Sequence, residues 1–82
     1  MIPCLFETDR QLITIDCREL FPPEPMERVL EAVASLDGDH AILMVHRKEP
    51  LPLYPKLEER QCSHETRILE DGTVQVLIQK TG

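Results

Sequence analysis

Apolar positions along this chain change their spacing several times, and each change marks an element. In Gln11–Cys17 (QLITIDC), Ile13 and Ile15 alternate with Thr14 and Asp16 beside the apolar Leu12, which predicts a strand. The ten residues before it show no such alternation and read as an N-terminal tail, with Leu5 and Phe6 available to dock on the body. Phe21-Pro22-Pro23-Glu24-Pro25-Met26 follows, with three prolines in four positions. Proline lacks the amide donor and disfavours α geometry in the preceding residue, so this run is no helix interior. It suits the first turn, whose amides have no intrahelical partner, and so predicts a stiff lead into a helix. Glu24 and Glu27 then sit where the helix dipole favours negative charge. Met26, Val29, Leu30, Val33 and Leu36 share one face, which carries the helix to about Leu36. Asp37-Gly38-Asp39 stops it, with Gly38 able to take the left-handed cap.

The run Ala41-Ile42-Leu43-Met44-Val45 is apolar throughout, as in a strand buried on both faces, and His46-Arg47-Lys48-Glu49 ends it. A short helix is expected over Leu51–Arg60, with Leu53, Leu57 and Tyr54 inward and Pro55 tolerated early. Ser63–Leu69 and the alternating Val74, Val76 and Ile78 predict two closing strands around an Asp71-Gly72 turn. The order is β-α-β-α-β-β. It implies an α/β chain of the α+β kind, a two-layer sandwich with a four-stranded mixed sheet and two helices on one face.

Composition narrows the function classes. The chain has 82 residues, enough for one domain, and 41% of them are apolar. Its net charge of -6 repels phosphate backbones, so nucleic acid is not an expected partner. No apolar run approaches the roughly 18 residues of a membrane span. Residues 1–10 carry no basic segment followed by a long apolar one, so no secretory signal is read there, and a cytoplasmic address is the default expectation. With three glycines there is no phosphate-cradling loop, and no catalytic triad or carboxylate pair stands out, so no enzymatic activity and no cofactor are expected.

The stretch from Ile15 through Asp16-Cys17-Arg18-Glu19-Leu20-Phe21-Pro22-Pro23-Glu24-Pro25 to Met26 resembles the signature of TusA/SirA-like sulfur carriers. Those proteins have a strand, a leucine-containing turn and then Cys-Pro-x-Pro opening the first helix. Pro23, Glu24 and Pro25 match the last three positions, His64-Glu65 and Asp71-Gly72 also match, and the element order agrees from about Gln11 to Lys80. The carrier cysteine falls on Pro22, which cannot hold a persulfide, so this resemblance implies a TusA-like fold without that chemistry. A closer resemblance lies in Asp16-x-Arg18-Glu19-Leu20-x-Pro22-Pro23-Glu24-Pro25 and His46-x-x-Glu49-Pro50-Leu51-Pro52-Leu53. Both look like the TusA-like domain of unknown function 2249, which generally lacks the carrier cysteine. That group often accompanies hemerythrin-like domains and proteins of nitrogen-oxide metabolism. The resemblance implies a non-catalytic module in sulfur, redox or nitrogen-oxide metabolism. It would bind a protein partner or small ligand through Arg18, Glu19, Pro22, Pro23, Glu24, Pro25 and His46.

Two rival chemistries stay open. Cys4, Cys17 and Cys62 form no C-x-x-C pair and read as reduced thiols, so a sulfur carrier would have to use Cys17 or Cys62, with Arg18 favouring the Cys17 thiolate. A soft metal would need N and S ligands, and His46, Cys62 and His64 are the candidates, Cys62 and His64 sharing one strand face. The start of the first helix would also offer an anion its amides, opposed by Glu24 and Glu27. Arg47-Lys48 reads as a solvated basic spot.

Overall fold

A computed structural model describes residues 4–81. Its elements are β1 (Gln11–Asp16), α1 (Glu24–Ala34), β2 (His40–His46), α2 (Leu53–Glu59), β3 (Cys62–Ile68) and β4 (Val74–Lys80), the order the apolar spacing predicts. The strands form one sheet in the order β1-β2-β4-β3. β1 runs parallel to β2, and β4 is antiparallel to both of its neighbours, so the sheet is mixed.

The two central strands are the most apolar, because a central strand is covered on both faces. On one face Ile42 and Met44 of β2 join Val74, Val76 and Ile78 of β4. They pack against Val29 and Val33 of α1 and Leu53 and Leu57 of α2, so both helices lie on this face. The opposite face presents Ala41, Leu43, Val45 and Leu77, and here Phe6 is buried with Leu5 beside it. The Leu5 amide donates to Gln75 Oε1 at 3.0 Å. Arg67 Nη1 donates to the Leu5 carbonyl at 2.7 Å, and its guanidinium lies 5.0 Å from the Phe6 ring centroid. Leu5 and Phe6 therefore strap the second face of the sheet, as their apolar character suggests.

The end of α1 differs from expectation. The helix stops at Ala34, and the amides of Ser35 and Leu36 turn back to the carbonyls of Ala32 and Val33 at 3.1 Å each. This tightened turn delivers Leu36 into the core. Gly38 is not in the left-handed region. Among the described glycines only Gly72 has a positive φ, 91°, in the β3–β4 turn where Asp71-Gly72 was expected. The Asp71 carboxylate accepts the Thr73 amide there at 2.9 Å.

Candidate functional site

Because β1 and β2 are parallel neighbours, the chain leaves both at the same end of the sheet. Ligands of α/β proteins commonly sit outside such carboxyl ends, where two loops diverge. Here both loops are proline-rich, and a groove of about 260 Å3 opens between them. Pro22, Pro23, Pro25 and Met26 at the start of α1 form one wall. The segment 48–53 forms the other, and Met44 and His46 of β2 complete the lining.

Both walls are held by short-range bonds. The Leu20 amide donates to the Cys17 carbonyl at 3.1 Å and the Glu24 amide to that of Phe21 at 2.9 Å. On the other side the Leu53 amide donates to the Pro50 carbonyl at 2.9 Å. Tyr54 reinforces this wall: its hydroxyl donates to Glu49 Oε2 at 2.9 Å and is hydrogen-bonded to Thr66 of β3. The Tyr54 ring stacks on His64 with centroids 4.2 Å apart. Glu49 is thus drawn toward α2 and the sheet.

His46 is the buried polar side chain of the groove. It is 7% exposed, and its Nδ1 is buried with no hydrogen-bond partner among the described residues. Burial pushes its pKa below the ordinary histidine value, and the charges of Lys48 and Arg47 push it the same way. The imidazole is therefore neutral near pH 7, with one nitrogen donating and one accepting. A buried polar atom without a partner costs about 1–3 kcal/mol. Such an atom beside a concave, largely apolar groove marks a ligand site.

The structure gathers only part of the site expected from sequence. Pro22, Pro23, Pro25 and His46 line the groove, whereas Arg18, Glu19 and Glu24 do not. Arg18 instead grips Asp16, Nε donating to one carboxylate oxygen at 2.9 Å and Nη2 to the other at 2.8 Å. Glu24 pairs with Arg28 at 3.3 Å, one helical turn along. The start of α1 offers an anion fewer amides than a regular helix start. Pro25 has no amide hydrogen, and those of Glu24 and Glu27 are taken by the carbonyls of Phe21 and Pro23.

Cys17 and Cys62 are both buried in the core between sheet and helices. Burial raises both thiols above the ordinary value, the Asp16 carboxylate adding to the effect at Cys17. Arg18 is engaged by Asp16, and at Cys62 burial outweighs the opposing charges of Lys80 and Arg60, so neither thiol has the open setting of a reactive thiolate. The three metal candidates do not converge. His46 lies opposite Val74, and Val74 opposite Ile68, while Cys62 lies opposite Lys80 at the other end of the sheet. Six residues of strand separate those ends, or about 20 Å. Cys62 and His64 do share a face, but His64 serves the Tyr54 stack. Among the described residues no group of three or more His, Cys, Asp or Glu side chains is placed to hold a metal ion.

Sequence reasoning missed the second wall. Arg47 and Lys48 are exposed, as expected of a solvated spot, but Lys48 also lines the groove with Glu49 and Leu51. The available signal was the repetition of a proline-rich run after each of the first two strands, Pro22–Pro25 and Pro50–Pro55. Its meaning depends on the two strands being parallel neighbours, which spacing alone does not establish.

Among the described residues no helix is long and apolar enough to cross a membrane. A family model described as an uncharacterized conserved protein, DUF2249, matches residues 14–80 and so spans both walls of the groove. No curated protein and no solved structure matches the chain.

Proposed function

The chain belongs to the uncharacterized conserved family DUF2249, and on that premise we propose that it is a non-catalytic binding module whose groove receives a small ligand. The observation that carries this reading is the buried, unpartnered Nδ1 of His46 beside a largely apolar concavity of about 260 Å3. A ligand that hydrogen-bonds this nitrogen while covering the proline walls satisfies both features at once. The prolines support the same reading. Walls of stiff backbone lose little conformational freedom when a ligand binds, so more of the contact energy is retained as affinity.

The ionisable side chains of the lining are His46, Lys48 and Glu49, and Glu49 is hydrogen-bonded to Tyr54. This set contains no nucleophile paired with a base, which supports binding rather than turnover. The buried, raised thiols of Cys17 and Cys62 argue against a relocated sulfur carrier. The resemblance of residues 15–26 to sulfur-carrier sequences supports a place for the module in sulfur metabolism, and its family's frequent company with nitrogen-oxide proteins supports a redox setting.

A fragment titration of the isotope-labelled chain followed by amide and methyl NMR tests the reading. Saturable shifts are expected at Met26, Met44, His46 and Leu51. Shifts confined to other surfaces, or none from any fragment, would refute it.

A further inference from the structure

We infer that the ligand of the groove is a small organic anion, an apolar body bearing one carboxylate, with the body against the proline walls and the carboxylate toward Lys48. The inference rests on the binding-module reading and supplies its ligand class.

Charge carries the argument. The chain has a net charge of -6, yet two consecutive cations, Arg47 and Lys48, follow His46 directly. Lys48 lines the groove. Neither cation has an ion pair or hydrogen bond among the described residues, although Arg18, Arg28, Arg60 and Arg67 are all paired with carboxylates. The one acid of the lining, Glu49, accepts from the Tyr54 hydroxyl. The charged groups acting on the His46 ring are Lys48 and Arg47, with no carboxylate among them. The potential beside His46 is therefore positive in a protein that is negative as a whole.

That potential sorts ligand classes. A cation meets repulsion there, and this weighs against a soft metal even though Met26, Met44 and His46 all line the groove. A neutral ligand can satisfy His46 but leaves Lys48 unused. A phosphate or dicarboxylate would press charge against proline and leucine side chains that cannot solvate it. A monocarboxylate with an apolar body meets each feature: one carboxylate oxygen accepts from His46 Nδ1 in its Nδ1–H tautomer, the charge stays beside Lys48, and the body is desolvated against the prolines. Size follows from volume. A cavity of roughly 150 Å3 takes a benzene molecule, so the 260 Å3 groove suits a body and carboxylate of about ten non-hydrogen atoms together.

The test uses the full chain, isotope-labelled, titrated at low salt with phenylacetate and octanoate, their neutral amides, and phenethylamine as the cation. The acids are expected to bind at least tenfold more tightly than the amides, with shifts at Met26, His46, Lys48 and Leu51, and to weaken as salt is added. K48Q, an exposed change that leaves the fold intact, should erase the acid-over-amide preference while amide binding persists. Amides equal to the acids, phenethylamine tighter than either, or a preference that survives K48Q would overturn the anion inference and leave the binding module standing. No saturable shift in the groove from any of these probes would overturn both.

Discussion

Replacing His46 with leucine should stabilise this protein while abolishing ligand binding in the groove. His46 is 7% exposed and its Nδ1 has no partner among the described residues. An unsatisfied buried polar atom costs about 1–3 kcal/mol. Leucine removes that atom, has a similar volume, and meets Met44 and Leu53 in the same lining with apolar surface. Some repacking loss is expected, since core substitutions of altered shape cost up to about 1.5 kcal/mol even when volume is kept. The net gain is about 1 kcal/mol, which in a domain this size raises Tm by about 4–8 °C.

The gain also depends on pH, with a definite sign. Folded His46 has a lowered pKa, so between that value and the unfolded value of about 6.5 the unfolded chain binds the extra proton. Wild-type stability therefore falls as pH drops through this window and levels off once the folded pKa is passed. H46L lacks this contribution, so its advantage over wild type should widen from pH 7.5 to pH 5.5. Asp16 and Asp37, held below the ordinary carboxylate value by Arg18 and His40, lose their contributions at lower pH. Urea unfolding followed by far-UV circular dichroism at both pH values measures the difference. A variant destabilised by more than about 1 kcal/mol at pH 7.5, or an advantage that shrinks on acidification, would refute the reasoning.

Three further outcomes are expected. F6A should lower stability by about 2–4 kcal/mol, because Phe6 covers the sheet face opposite the helices; a urea midpoint close to wild type would show that the strap contributes little. Y54F removes the hydroxyl bonded to Glu49 and Thr66 and should cost about 1 kcal/mol. It should also weaken carboxylate binding by loosening Glu49 at the groove, and unchanged affinity by NMR titration would contradict that link. In native protein treated with an alkylating reagent or with polysulfide, exposed Cys4 should react while buried Cys17 and Cys62 react only after unfolding; mass mapping of a native adduct at either buried thiol would revive the sulfur-carrier reading.

Much of the fold is legible in the order of residues because it follows from local rules. The short, all-apolar Ala41–Val45 reads as a strand covered on both faces, and it is one of the two central strands of the sheet. Prolines at 22, 23 and 25 can only precede or open a helix, and α1 begins at Glu24. Asp71-Gly72 marks a tight turn because glycine tolerates the positive φ found there. The misplaced cap at Gly38 shows where local rules lose. The helix ends early and Leu36 is buried in the core, while Gly38 two residues later takes no left-handed cap.

The functional residues divide along the same line. The proline run and His46 stand out by residue type, and the groove contains them. Arg18 and Glu19 stand out equally, but Arg18 is consumed by Asp16 two residues away, and no one-dimensional pattern shows which partner a charge will choose. His46, Cys62 and His64 look like a ligand set until the register puts Cys62 at the far end of the sheet. Lys48 is solvent-exposed, as its sequence suggests, but only the parallel pairing of β1 and β2 shows that its loop stands opposite the prolines. Sequence alone determined the elements, their order and the stiffness of the two loops, since these depend on neighbours within a few residues. Tertiary structure decided which side chains share a groove and which charges stay unpaired, because those depend on strand order and register, set by the burial of the whole sheet.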